Sequence, residues 1–147
     1  MKHVDIYTDG ACSGNPGKGG FCAILVYEGK EKIIDGGEVL TTNNRMELQA
    51  VISGLTALKE KCSVTVYSDS QYVVEAINSD WLSSWEKNGW KTSGKKEVKN
   101  VDLWEKLSDL MSLHKVEFVK VKGHSDNEYN NRCDKIAVNF YKNENKD

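Results

Sequence analysis

Four acidic residues stand where chemistry could be built: Asp9, Glu47, Asp69 and Asp134. Asp9 follows a short apolar stretch (Val4, Ile6, Tyr7) and is succeeded by Gly10-Ala11-Cys12-Ser13-Gly14-Asn15-Pro16-Gly17, a glycine-rich run around the only proline. A carboxylate at the end of a rigid strand, beside backbone that can approach a ligand closely, is a common way to make a site. Carboxylates brought together repel and raise one another's pKa, a cost that a divalent cation among them removes. Hard oxygen ligands without His or Cys company suit Mg²⁺ or Mn²⁺. Two such ions about 3.5–4 Å apart can activate a water and stabilise the leaving oxygen in phosphodiester cleavage. Each residue also has a plainer role open to it. Glu47 could help cap its helix and Asp69 could be an N-cap. Asp134 could pair with Arg132 or Lys135, and Asp5 shares the strand parity of Asp9.

The elements that must position these groups follow from the pattern. Val4–Asp9 predicts a first strand ending at Asp9, and Phe21–Tyr27 a second, apolar enough to be buried on both faces. Lys32–Leu40 predicts a third, with Gly36-Gly37 suggesting a bulge. Tight turns join the three as an antiparallel meander. Thr41–Asn44 then opens a helix with Leu48, Val51, Ile52, Leu55 and Leu58 on one face. Val64–Asp69 predicts a fourth strand passing into a helix with Val73, Val74 and Ile77. Strand, helix, strand is the crossover of a parallel pair, so the sheet should be mixed. If the first and fourth strands are parallel neighbours, Asp9 and Asp69 would lie close together on one edge. Val101–Leu113 predicts a helix, Val116–Val121 the fifth strand, Gly123–Asp126 a loop, and Cys133, Ile136, Ala137, Phe140 and Tyr141 the stripe of a last helix.

The stretch Asp80–Asn100 differs in kind, with Trp81, Trp85 and Trp90 among lysines and little apolar periodicity. Between Trp85 and Lys99, the five lysines Lys87, Lys91, Lys95, Lys96 and Lys99 stand against only Glu86 and Glu97. Tryptophans amid lysines suggest base stacking with phosphate neutralisation, or a small surface subdomain with its own tryptophan core.

Bulk properties set the bounds. The 147 residues suit one domain, 1–147, with 39% hydrophobic and 29% charged residues and a formal charge of −2. No apolar run approaches the roughly 20 residues of a membrane span, and the N-terminus enters a strand at once, which predicts no signal peptide. Cys12, Cys22, Cys62 and Cys133 form no Cys-x-x-Cys pair, so free thiols in a reducing cytoplasm are expected.

Several blocks closely resemble the signatures of the compact bacterial ribonuclease HI (type 1 ribonuclease H) family: Thr8–Gly17, Thr42–Glu47, Ser68–Gln71, Trp85 with Trp90-Lys91-Thr92, Val98–Asn100, Lys122–His124, and Asn130 with Arg132-Cys133-Asp134. They occur in family order over nearly the whole chain. The resemblance implies an α/β ribonuclease H-like fold, a five-stranded mixed sheet flanked by helices. It implies a monomeric endonuclease that cleaves RNA within an RNA/DNA hybrid, leaving 5′-phosphate and 3′-hydroxyl ends. Asp9, Glu47, Asp69 and Asp134 would hold two Mg²⁺ ions, with Mn²⁺ a substitute, and Asp5 would be excluded. His124 would assist proton transfer or product release.

Backbone at Gly10 and Cys12 and the side chains of Asn15, Asn44 and Gln71 would read the RNA 2′-hydroxyl, which amides suit because they donate and accept at once. Trp81 and Trp85 would lie along the DNA strand, with Thr42, Ser93 and Asn100 near its phosphates. Where some members place a phosphate-binding Arg, this chain has Leu40, and Glu86 replaces a common basic residue, which predicts more salt-sensitive binding. Asn131 and Ser125-Asp126-Asn127 depart from the family pattern beside His124. A DNA-cutting nuclease of the same fold and a silent hybrid-binding module are the alternatives. The second predicts a missing carboxylate, and none is missing.

Overall fold

The computed structural model describes residues 1–122 and 127–143. Three long strands come first: β1 (Lys2–Cys12), β2 (Gly17–Tyr27) and β3 (Lys30–Thr41). They are followed by α1 (Asn43–Thr56), β4 (Cys62–Ser68), α2 (Gln71–Asn78) and α3 (Trp81–Lys87). The described chain closes with α4 (Val101–Ser112), β5 (Lys115–Lys120) and α5 (Glu128–Asn143).

The strands form one sheet in the order β3-β2-β1-β4-β5. β1 and β3 both run antiparallel to β2, while β4 lies parallel to β1 and to β5. The expected mixed sheet, with β1 and β4 as parallel neighbours, is therefore present.

Alternation along the strands decides which helix covers which face. Val4 and Ile6 of β1, Ala23 and Leu25 of β2, and Val64 and Val66 of β4 join Leu48, Val51 and Leu55 of α1 in the main core. Leu103, Trp104 and Leu107 of α4 extend that core, and Trp104 is fully buried. On the opposite face Cys22 and Ile24 of β2 meet Cys133 and Ala137 of α5. β2 is thus buried on both faces, as its unbroken apolar run requires. Tyr7 stacks on Tyr67 at 4.7 Å and on Tyr129 at 4.6 Å, tying β1 to β4 and to the start of α5. All four cysteines are free thiols.

Two local expectations are corrected. β1 does not end at Asp9 but continues to Cys12, with Asp9 opposite Cys22, Gly10 opposite Phe21 and Cys12 opposite Gly19. The ladder keeps the Gly10–Cys12 backbone paired, so the turn shrinks to the residues between Cys12 and Gly17. The pair Gly36-Gly37 makes no bulge and stays in register with Phe21 and Gly20. A Cβ at Gly36 would sit 2.6 Å from Phe21 Cζ, and one at Gly37 would strike the Phe140 ring. These glycines make room for aromatic rings lying flat on the strand. The register shift falls instead between Gly17 and Gly19, opposite Glu38 and Thr41.

The lysine-rich stretch contains α3 and a single bridge between Lys91 and Glu97. Trp90, Lys95 and Asn100 adopt positive φ, which folds the segment back on itself. Trp85 meets Trp104 edge-on at 5.5 Å, so one side of that indole is core. Trp81 is 46% exposed.

Candidate active site

Each carboxylate reaches the site for a local reason. Asp9 lies in β1 and Glu47 in the second turn of α1, and the two elements touch because residue 10 is glycine. A Cβ there would run into the Met46 and Glu47 backbone and lie 2.8 Å from Met46 O. That close approach lets Gly10 N–H donate both to Asp9 Oδ1, at 2.9 Å, and to Glu47 Oε1. The α1 N-cap is Thr42, whose hydroxyl accepts from Arg45 N at 3.3 Å, so Glu47 is not consumed in capping.

Asp69 follows the last residue of β4. The α2 cap falls to Ser70, whose hydroxyl accepts from Val73 N at 3.2 Å. Asp134 sits in α5, pinned by its neighbour Cys133, whose thiol donates to Cys22 O at 3.0 Å and Tyr7 O at 3.3 Å. Arg132 does not pair with Asp134. It forms a two-pronged bond with Glu31 of β3 at 3.1 and 3.0 Å. Asp5 meets His3 Nε2 at 3.1 Å, one strand face but about 13 Å along the chain from Asp9.

Asp9, Glu47 and Asp69 each offer a carboxylate oxygen within 4.8 Å of the other two. Asp9 and Glu47 are 7% and 4% exposed. Burial, then the Glu47 charge and hydrogen bonds to Glu47 and Asp134, push the Asp9 carboxyl up to about 11. Burial and the Asp69 charge push Glu47 up to about 7, against hydrogen bonds from Asp9, Gly10 and Ser70. Burial and mutual repulsion favour the protonated forms of Asp9 and Glu47, a cost that a cation among the carboxylates removes. An all-oxygen donor set of this density fits a divalent metal.

A cavity of about 430 Å³ opens over the carboxylates, and Asp134, Gly10, Cys12, Asn44 and Gln71 also line it. A second cavity of about 430 Å³ lies beside it, between Asn15, Thr42 and Asn44 on one side and Lys99 and Asn100 on the other. Asn44 borders both. Asn15 Oδ1 accepts from Asn43 N at 2.9 Å, bracing the turn after β1 against the start of α1. The Cys12 thiol is held by the carbonyls of Gly14 at 2.6 Å and Thr41 at 3.4 Å.

The expected residues therefore divide into groups. The four carboxylates, Gly10, Cys12, Asn44 and Gln71 come together at the first cavity, and Asn15, Thr42 and Asn100 at the second. Trp81, Trp85 and Ser93 border neither and belong to the folded arm. Glu86 accepts a hydrogen bond from Ser108 Oγ of α4, so it ties the arm to the body. Leu40 is 69% exposed. His124 lies outside the described residues, as do Ser125 and Asp126. Ala11, Asn43, Ser70 and Tyr72 are the lining residues to which sequence reading gave no role, and Lys99, read as part of the lysine-rich arm, borders the second cavity. Tyr72 adjoins the Ser68–Gln71 block and Asn43 lies within Thr42–Glu47, so proximity to the motifs was the available signal.

Comparison with known proteins gives a consistent result. The family model described as RNase H matches residues 1–142. A protein of Caldicellulosiruptor saccharolyticus named ribonuclease H is 61% identical over 97% of this chain and 98% of its own length. One from Acetivibrio thermocellus with the same name is 60% identical over 97% of each chain. Among solved structures, LC9-RNase H1, described as a type 1 RNase H with the type 2 active-site motif, superposes with a TM-score of 0.78. It shares 28% identity over 95% of this chain and 72% of its own.

Proposed function

The chain belongs to the ribonuclease H family, and from that premise we propose that it hydrolyses the RNA strand of RNA/DNA hybrids internally, leaving 5′-phosphate and 3′-hydroxyl ends. The observation that carries this reading is the Asp9–Glu47–Asp69 cluster at the base of a cavity whose walls present Asn44 and Gln71.

In this reading Asp9, Glu47, Asp69 and Asp134 would hold two divalent cations, Mg²⁺ with Mn²⁺ as a substitute. When bound, these supply a more acidic water and offset charge on the departing 3′ oxygen. The water oxygen bonds to phosphorus, the bond from phosphorus to the 3′ oxygen breaks, and the proton lost by the water balances the one the 3′ oxygen gains. Asp9 and Glu47, buried and tied through Gly10 N–H, present fixed oxygens that do not rearrange during the step.

The amides of Asn44 and Gln71 read the 2′-hydroxyl, as does backbone at Gly10 and Cys12. Thr42 and Asn100 take a DNA-strand phosphate in the second cavity, with Lys99 at its rim. The arm, with Trp81, Trp85 and Ser93, follows the DNA strand, and His124 serves proton transfer or product release. No helix among the described residues is long and apolar enough to cross a membrane. The reading includes a monomer working in the cytoplasm, a reducing compartment that the four free thiols suit.

The test is a substrate panel: labelled RNA/DNA hybrid, RNA duplex and DNA duplex incubated with Mg²⁺ or Mn²⁺. Cleavage of RNA in the hybrid alone is expected. Equal cleavage of all three duplexes, or of DNA only, overturns the reading.

A further inference from the structure

One hydroxyl connects the two cavities. Tyr72 of α2 lines the carboxylate cavity, and its hydroxyl oxygen accepts from Asn100 Nδ2 at 3.1 Å and from Trp104 Nε1 at 3.0 Å. Asn100, just before α4, lines the second cavity, and its Oδ1 accepts from Arg45 Nη1 at 3.2 Å. Arg45 is itself gripped by Asp102 through Nη1 and Nη2, at 3.0 and 2.7 Å.

The polarity of this chain is fixed by chemistry at both ends. A guanidinium and an indole N–H can only donate. Arg45 therefore forces Asn100 Oδ1 to be the acceptor, which leaves the Asn100 amide nitrogen toward Tyr72. Trp104, fully buried, cannot release its N–H to water, so Tyr72 must stay in place as its acceptor. Arg45 thus selects one of the two Asn100 amide orientations, and Tyr72, whose hydroxyl could donate or accept, adds a second contact that holds the amide in place. One amide hydrogen is spent on Tyr72, and the other remains for the cavity beside Thr42. The Thr42 hydroxyl oxygen already accepts from Arg45 N, so its hydrogen is also available there. The reversed amide would turn a carbonyl oxygen toward any anion in that cavity.

We propose that Tyr72 is a positioning residue: its hydroxyl, with Arg45, holds the Asn100 amide so that its nitrogen, not its carbonyl oxygen, is offered to a nucleic-acid phosphate in the second cavity. This rests on the reading of that cavity as the DNA-phosphate site.

The test measures the dissociation constant for hybrid by fluorescence anisotropy without divalent metal, and kcat in Mg²⁺, for four proteins: wild type, Tyr72→Phe, Asn100→Ala and the double variant. Losing one well-placed hydrogen bond corresponds to a roughly fivefold weaker Kd for Tyr72→Phe, with kcat unchanged at saturating hybrid. In the Asn100→Ala background the same change should have no further effect on Kd, since Tyr72 acts through Asn100. An unchanged Kd for Tyr72→Phe, or an equal loss in both backgrounds, overturns the proposal.

Tyr72→Phe strands the buried Trp104 N–H. Should that variant fail to fold, the cycle is run in a Trp104→Phe background, where no indole N–H is stranded, with the same expectation and the same overturning result. Hybrid cleavage by the wild type is scored separately. Failure there refutes the assigned function, whereas cleavage with an additive cycle refutes only the role of Tyr72.

Discussion

At the scale of single residues the site is a problem of charge. Asp9 has a carboxyl whose folded-state pKa is far above its unfolded value, and Glu47 is raised as well. A raised acid binds its proton more tightly in the folded state, so the stability it contributes is present at low pH and lost as pH rises through the raised values. Metal-free protein should therefore melt at progressively lower temperature from pH 5 through pH 7 and above, as Glu47 and then Asp9 are forced to ionise. Saturating Mg²⁺ should flatten that trend, because cation binding stabilises the ionised cluster. Thermal melts across pH, with and without metal, check both statements. A melting temperature independent of pH without metal would contradict them. Asp9→Asn removes one charge from the cluster and should reduce the metal-free pH dependence. It should lower cleavage by more than about 10²-fold, the upper end of what losing a mere supporting partner of a metal ligand costs. Hybrid binding at low metal should survive, and cleavage that survives this substitution would contradict the metal assignment.

At the scale of elements, the contact between β1 and α1 decides the geometry. Gly10→Ala must push α1 away from β1, because the added methyl meets backbone rather than a movable side chain. Overpacking of this kind should cost about 3 kcal/mol in urea unfolding. Activity should fall beyond what the lower stability explains, since Glu47 moves with the helix. The arm is a different kind of element, joined to the body by the Trp85–Trp104 contact and by Ser108 with Glu86. Its lysines Lys87, Lys91, Lys95 and Lys96 are exposed. Replacing all four with Gln should weaken hybrid binding and reduce the slope of log affinity against log salt, by about 0.9 for each phosphate no longer neutralised. An unchanged slope would show that the arm does not touch phosphate.

At the scale of the molecule, the sheet and the site were unequally legible in the sequence. Period-two and period-3.6 patterns placed the strands and main helices, because those patterns record burial directly. The carboxylates could be named because crossover topology sends strand ends and helix starts to one edge, with the motif blocks choosing Asp9 over Asp5. The extent of β1 was not legible. Glycine reads locally as a turn, while Gly10 is required by a helix packed on it and Gly36 by an aromatic ring lying over it. Such demands come from residues distant in sequence. The same holds for Tyr72, whose partners Asn100 and Trp104 lie 28 and 32 residues away. Glu31 and Arg132, 101 residues apart, were likewise invisible as a pair until α5 was laid across the sheet.

Thr42 and Glu47 stand at the same end of one helix, the first at the cavity proposed for a DNA phosphate and the second among the carboxylates. Their separation is set by helical rise, about 1.5 Å per residue, rather than by a loop that could stretch. If the proposed phosphate site is right, the helix would act as a fixed caliper across the two strands of a duplex. A duplex whose groove is too wide or too narrow can seat one phosphate but not both, however well its sugars match. Selection by the span between strands would then operate alongside the proposed reading of the 2′-hydroxyl, and it would belong to the stiffness of α1 rather than to any one side chain.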